Sequence, residues 1–197
     1  EDVADFSIYV KFKVQESTGN EYFVAWTTTP WTLPGNVGLA VNPEASYAQV
    51  ALKNETTGQT ELLWMAEELV EKVCENTEYT KQKTLKGSQL VGKKYEPLFK
   101  YVESDKPRAW SVLAADFVSL QDGTGIVHTA ALFGEDDYAL ALKEDLPLVP
   151  TLNEEGKFLP FVELVAGKFY KSAEKTINAD LTARNLLFKE GKITHSY

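Results

Sequence analysis

Apolar and polar residues alternate strictly over Ile8-Tyr9-Val10-Lys11-Phe12-Lys13-Val14, which sets Ile8, Val10, Phe12 and Val14 on one face. That period of two predicts a half-buried strand. The turn-like Glu16-Ser17-Thr18-Gly19-Asn20 follows, then a continuous apolar run at 22–26, and the two runs read as an antiparallel hairpin. Segments 37–41, 48–52 and 61–65 extend the strand series, with a turn at 54–58. The period changes over 66–76, where Leu69, Val70, Val73 and Cys74 recur at helical spacing. Segment 86–101 is loop-rich and interrupted by Pro97, and 110–120 and 125–129 read as strands around an Asp122-Gly123 turn. Two more helices are predicted: 134–146, which begins with acids, and 171–187, with Ala173, Ile177, Leu181 and Leu186 inward. Many short strands with a few helices and no βαβ alternation predict a mainly β fold: a closed β-barrel with peripheral α-helices.

The 197 residues suit a single domain over 1–197 with a sizeable core. No stretch has the roughly 20 apolar residues of a membrane helix, and the acidic start reverses the pattern of a signal peptide. The lone cysteine, Cys74, cannot form an intrachain disulfide and has no basic neighbour to activate it, so a small buried hydrophobe in a cytoplasmic protein is expected. Charge changes the picture more. Acids outnumber bases 29 to 20, a formal charge of −9 with no dense basic cluster, so a nucleic-acid partner would have to be delivered by something else.

Two segments concentrate polar chemistry. Trp26-Thr27-Thr28-Thr29-Pro30-Trp31-Thr32-Leu33-Pro34-Gly35-Asn36 holds four threonines in eleven residues, on a loop stiffened by two prolines. Its hydroxyls either satisfy backbone groups at a strand end or form a polar wall for a carbonyl and a ribose. The second, Gly123-Thr124-Gly125-Ile126-Val127-His128-Thr129-Ala130-Ala131-Leu132-Phe133-Gly134-Glu135-Asp136-Asp137-Tyr138, runs from a strand bearing a histidine into an acid-capped helix. His128 and Asp137 can converge on one pocket there, or serve as a structural histidine and a helix-dipole partner. A nucleophile elbow of Gly-x-Ser-x-Gly type is missing. Two histidines and one cysteine are too few for a zinc site, His195 stands near the end of the chain, and consecutive Glu135, Asp136 and Asp137 point apart on a helix, so no metal is expected.

Both segments resemble the editing domain inserted in the catalytic fold of isoleucyl-tRNA synthetases. The threonine-rich stretch is similar to that family's signature, and Thr29 stands where related valine and leucine enzymes carry arginine. Gly-Thr-Gly-Ile-Val-His-Thr-Ala followed by Gly-Glu-Asp-Asp-Tyr is similar to its second signature. Likeness continues through Asn42-Pro43-Glu44, Tyr95-Glu96-Pro97, Ala114-Ala115-Asp116-Phe117 and Ile193-Thr194-His195-Ser196-Tyr197, so it spans nearly the whole chain. One departure is the family's proline after His-x-Ala, which is Ala131 here with Leu132 next, and a looser loop is expected.

The resemblance implies hydrolysis of valine from mischarged isoleucine tRNA. An apolar pocket discriminates one methylene by only about 1–3 kcal/mol, and isoleucine against valine is the standing example of that limit. Asp137 is implied to pair with the α-ammonium. Thr27, Thr28 and Thr29 would hold the ester carbonyl and terminal ribose, and His128, Trp31 and Thr32 would bound the side-chain pocket. Asn36 would support that wall, and Trp26 and Asp136 complete the binding set. The attacking group would be water, with no cofactor. Partners implied are the aminoacyl end of tRNA(Ile), carrying valine, or valyl-adenylate, presented to a monomer by the rest of the synthetase. Neither the His-Ile-Gly-His nor the Lys-Met-Ser-Lys-Ser motif is present, so the ATP-dependent ligase step is not expected of this chain. Rival readings are a free-standing trans-editing deacylase, against which the acidity and the cut-off ending at Tyr197 weigh, and a non-catalytic binder of amino acids or aminoacyl-adenylates.

Overall fold

The computed structural model describes residues 2–17 and 19–196, with side chains over 6–17 and 19–191. Glu1, Thr18, Tyr197 and the side chain of His195 lie outside the described residues. In chain order the strands are β1 (Asp2–Lys13), β2 (Glu21–Thr27), β3 (Asn36–Val41), β4 (Ser46–Lys53), β5 (Thr60–Ala66), β6 (Thr80–Lys86), β7 (Ser111–Ala114), β8 (Ile126–Ala130) and β9 (Leu187–Ser196). The helices are α1 (Val70–Val73), α2 (Gly87–Leu90), α3 (Glu135–Lys143) and α4 (Tyr170–Ala183). Among the described residues no helix is long and apolar enough to cross a membrane.

The fold is mainly β, as the alternation predicts, but the strands form two open sheets. One has six strands in the order β6-β4-β5-β2-β1-β9, the other three in the order β7-β3-β8. The expected closed barrel is therefore corrected. Closure requires the two edge strands to pair, and β6 is unsuited to it. Its sequence, Thr80-Lys81-Gln82-Lys83-Thr84-Leu85-Lys86, leaves almost every side chain exposed, and lysines of this kind blunt a sheet edge.

The β1–β2 hairpin forms with Val10 opposite Ala25. The expected pairing around Asp122-Gly123 does not. β3 lies between β7 and β8, parallel to the first and antiparallel to the second, and the chain leaves the sheet after Ala114. The helices predicted over 66–76 and 171–187 are shorter as well. The first is a 3-10 turn followed by α1, and Asn76 at φ 63° turns the chain away beyond it. The second ends at Ala183, where Asn185 at φ 59° redirects the chain into β9.

The main core packs Ile8, Val10 and Phe12 of β1 against Phe23, Leu63 and Trp64, with Ala173, Ile177 and Leu181 of α4 closing it as the helical spacing predicts. A smaller cluster joins Val37, Ala40 and Leu113 to Leu140 and Ala141 of α3. Cys74 is buried as expected, and burial pushes its thiol up to about 11, so it is not a thiolate at neutral pH.

Lys11 departs from the alternation. It stands on the polar face of β1 yet its side chain is 1% exposed, with Nζ 2.8 and 3.1 Å from the two carboxylate oxygens of Glu61. Asn54 and Asn185 also donate to Glu61, at 3.2 and 3.1 Å, so the carboxylate's acceptor sites are well used. Removing one member of such a pair strands a buried charge, at a cost of about 3–5 kcal/mol. Urea denaturation of Glu61→Gln should show a loss of that order, and the double change Lys11→Met with Glu61→Leu should recover most of it. A loss below about 1 kcal/mol in the single variant would show the pair to be dispensable.

Candidate active site

β2 ends at Thr27, where the pleat gives way to a 3-10 turn over Pro30–Gly35. Proline is well placed at the start of that turn because its fixed φ suits the first helical position. The threonines fold the junction onto itself. The backbone N–H of Thr29 donates to Thr27 Oγ1 at 3.1 Å, and the N–H and hydroxyl of Thr32 both donate to the Thr29 carbonyl, at 3.0 and 2.9 Å. The hydroxyls of Thr27 and Thr29 lie 3.4 Å apart and those of Thr29 and Thr32 lie 3.5 Å apart. They satisfy the backbone and also line a cleft of about 390 Å³.

β8 supplies the opposite wall. His128 is buried, with both ring nitrogens engaged. Nδ1 is 2.8 Å from Asn36 Nδ2, and Nε2 is 2.8 Å from Thr32 Oγ1. The proton positions follow by elimination. The Gly38 carbonyl can only accept, and it takes a hydrogen from Asn36 Nδ2 at 3.0 Å, which fixes the orientation of that amide. The second Nδ2 hydrogen then points to His128 Nδ1, which must accept. Nε2 therefore carries the ring proton and donates to Thr32, whose own hydroxyl donates to Thr29. At the far end, the buried Tyr95 hydroxyl donates to Asn36 Oδ1. The result is one directed relay from Tyr95 through Asn36, His128 and Thr32 to the Thr29 carbonyl. Burial lowers the imidazole to about 4, so His128 is neutral at ordinary pH.

Between the walls runs Gly123-Thr124-Gly125. Both glycines have positive φ, 71° and 76°, and a Cβ on Gly125 would come within 2.5 Å of Ala66 Cβ. Asp137 stands in the first turn of α3, half-buried, and Oδ2 accepts the backbone N–H of Ala130 at 3.1 Å. Burial raises its carboxyl above the usual range, the Ala130 N–H lowers it in part, and neighbouring Asp136 raises it. The bond from Asp137, with a turn closed by the Phe133 N–H on the Ala130 carbonyl at 3.1 Å, ties down the segment where the family's proline is replaced by Ala131.

Seven predicted residues line the cleft together: Trp26, Thr27, Thr28, Thr29, Thr32, His128 and Asp137. Three do not. Asn36 is buried behind His128. Trp31 packs on Phe133 and Tyr170 with ring centroids 5.0 and 4.6 Å away, and Asp136 faces a separate depression beside Asp116 and Lys143. Phe117, Ser119, Asp122 and Phe133 line the cleft without having been singled out. Phe117 and Ser119 were hidden because 110–120 reads as one strand. Tyr95 belonged to a family-like segment, but nothing in its spacing connects it to Asn36, 59 positions away.

No family model matches the chain. The isoleucine–tRNA ligases of Clostridium novyi and Clostridium acetobutylicum are 47% and 45% identical to it over 196 residues, and that of Methanoregula boonei is 44% identical over 200. Each match covers 100% of this chain, which spans 18% of the length of those relatives. Among solved structures, the crystal structure titled GlLeuRS-CP1 superposes with a TM-score of 0.74 at 15% identity, covering 94% of this chain and 99% of the other. The Plasmodium falciparum cytosolic leucyl-tRNA synthetase editing domain gives 0.72 at 11% identity, covering 95% and 99%. At those identities the likeness concerns the fold. The chain is therefore similar along its whole length to a segment of isoleucine–tRNA ligases, and its fold is that of leucyl-tRNA synthetase editing domains.

Proposed function

We propose that the cleft hydrolyses the ester joining valine to the 3′-terminal adenosine of isoleucine tRNA, presented by the remainder of a synthetase. The observation that carries this reading is the convergence of a half-buried carboxylate, Asp137, and a neutral imidazole, His128, on one hydroxyl-lined cleft. The Ala130 N–H engages one carboxylate oxygen of Asp137, and the other is the partner for the substrate α-ammonium. Thr28, exposed at the mouth, and Thr27 and Thr29 beside it offer hydroxyls and backbone groups to the ester carbonyl and ribose.

His128 and Thr32 form the side-chain wall. A histidine with both nitrogens engaged and a pKa near 4 is a poor proton acceptor, which favours its role in shape selection over base catalysis. Water is then the nucleophile. Its oxygen bonds to the ester carbon, the bond from that carbon to the ribose oxygen breaks, and the proton the water gives up ends on the ribose oxygen, leaving free valine and the ribose hydroxyl. Orientation and charge placement supply the rate gain. The rival reading, a binder without turnover, would use the same cleft, and release of valine separates the two.

In the full-length protein containing this chain, Asp137→Ala should slow valine release from misacylated tRNA by about 10- to 150-fold, the span of a charge-assisted hydrogen bond. Full activity in that variant would remove the ammonium role. His128→Ala should open the wall so that isoleucyl-tRNA is hydrolysed too, whereas unchanged selectivity would take His128 out of the sieve.

The neutral imidazole also sets a stability profile. The unfolded chain binds a proton near pH 6.5 and the folded chain does so only near 4. The contribution of His128 is therefore complete above pH 6.5 and is lost as pH falls towards 4, roughly 3 kcal/mol in total. Denaturation at pH 7 and pH 4.5 should show a steeper loss in the parent protein than in His128→Gln. Equal losses would mean that His128 titrates normally.

A further inference from the structure

A row of side chains that takes no part in the proposed chemistry leads out of the cleft across the large sheet. Tyr9 on β1 is directly opposite Trp26 on β2 and directly opposite Lys189 on β9. Residues paired in this way project from the same face of a sheet. Trp26 is itself a wall of the cleft, so the row starts inside the site and runs away from it. The Tyr9 and Trp26 rings are 6.5 Å apart at 43°, and Lys189 Nζ stands 4.8 Å from the centre of the Tyr9 ring.

All three side chains are only partly buried. Gly191, two residues beyond Lys189 on β9, puts no side chain beside the Tyr9 ring; a Cβ there would lie 2.7 Å from Ser7 Oγ and 3.7 Å from the ring. Among the described residues no carboxylate pairs with Lys189, although Lys72 lies 3.7 Å from Asp122. Asp122 also faces the Tyr9 hydroxyl, which burial first and that carboxylate second hold above its ordinary range. Among the described side chains the rim thus holds one lysine matched to an acid and one without such a match.

Aromatic faces beside an unmatched cation are what single-stranded nucleic acid uses: the bases stack, and the cation meets phosphate. A chain of net charge −9 has little broad electrostatic attraction for a polyanion, so a stacking contact is the economical way to hold one. We propose that Tyr9, Trp26 and Lys189 form a nucleotide subsite for the residue that precedes the terminal adenosine on the 3′ strand of the tRNA. Its base lies against the Tyr9 and Trp26 rings, and its phosphate meets Lys189. The assignment rests on the cleft holding the terminal aminoacyl-adenosine.

The test compares two substrates in the full-length protein: valine-misacylated tRNA, and valyl-adenosine, which lacks the preceding nucleotide. Tyr9→Leu keeps an apolar side chain in the row but removes the ring. It should lower kcat/KM for the tRNA about tenfold and leave the small ester unchanged, and Tyr9→Trp should restore the tRNA rate. Lys189→Gln should reduce the slope of log affinity against log salt by about 0.7. No loss on tRNA in Tyr9→Leu, or an equal loss on both substrates, overturns the subsite. A tRNA ending in a non-hydrolysable valyl amide, with a photoreactive thiopyrimidine at the penultimate position, separates this from failure of the hydrolytic reading. Crosslinks to residue 9 or 26 support the subsite even if no ester is cleaved, and crosslinks confined elsewhere overturn it even if esters are cleaved.

Discussion

The cleft depends on a contact that leaves no room for a side chain. The start of β8 is tied to the large sheet at Gly125, whose carbonyl accepts the Tyr47 hydroxyl at 2.6 Å, while the Thr124 carbonyl accepts the Ala66 N–H at 2.7 Å. Any Cβ at 125 would collide with Ala66, and the φ of 76° is one that other residues avoid. Gly123 meets the Trp26 ring in a similar way, at 3.0 Å from where its Cβ would be. The β8 edge of the small sheet is thereby held against the large sheet beside the end of β2, with the threonines at that end on one side and His128 on the other. The open arrangement leaves that junction as a cleft.

The wall of that cleft is polar but has few alternative states. In the relay from Tyr95 to the Thr29 carbonyl, each donor has one acceptor, and reversing any member would set two donors or two acceptors against each other. A buried polar group left unmatched costs about 1–3 kcal/mol, so the network holds one tautomer and one set of rotamers. This is what lets a histidine serve in the wall of the proposed sieve. An apolar side chain would fill the space, but it would rely on packing alone for its position. Asn36, expected to support that wall, does so from behind by orienting the ring.

What the sequence discloses depends on burial. Ile8, Val10 and Phe12 were legible as one face of a strand because they point into the main core, and Ala173, Ile177 and Leu181 of α4 for the same reason. The two edge strands of the large sheet, β6 and β9, were not. β6 is almost wholly exposed, so backbone bonds to β4 hold it and no apolar pattern betrays it. β9 follows α4 directly, and its first residues extend an apparent helical pattern that Asn185 interrupts by turning left-handed. Lys11 was misplaced because alternation assigns a face to a residue and is blind to the Glu61 that makes that face habitable.

The site was legible only where its parts are close in sequence. The threonine run and the segment from Gly123 to Asp137 each contain their own turn chemistry, and their meeting is a consequence of the β3–β8 pairing, with Leu39 opposite His128. Tyr95 and Phe117 come from loops whose positions are set by tertiary contacts. The same division bears on charge. The chain is acidic overall, and Asp122 stands beside the row, yet the row proposed to meet the nucleic acid is itself aromatic and cationic: Trp26, Tyr9 and Lys189. On the proposed function, a module tethered to the rest of a synthetase would have the tRNA supplied at high effective concentration and would need little affinity of its own. Weak general attraction, with recognition confined to the last nucleotides, would let the 3′ end leave as soon as the ester is gone or the amino acid fails to fit.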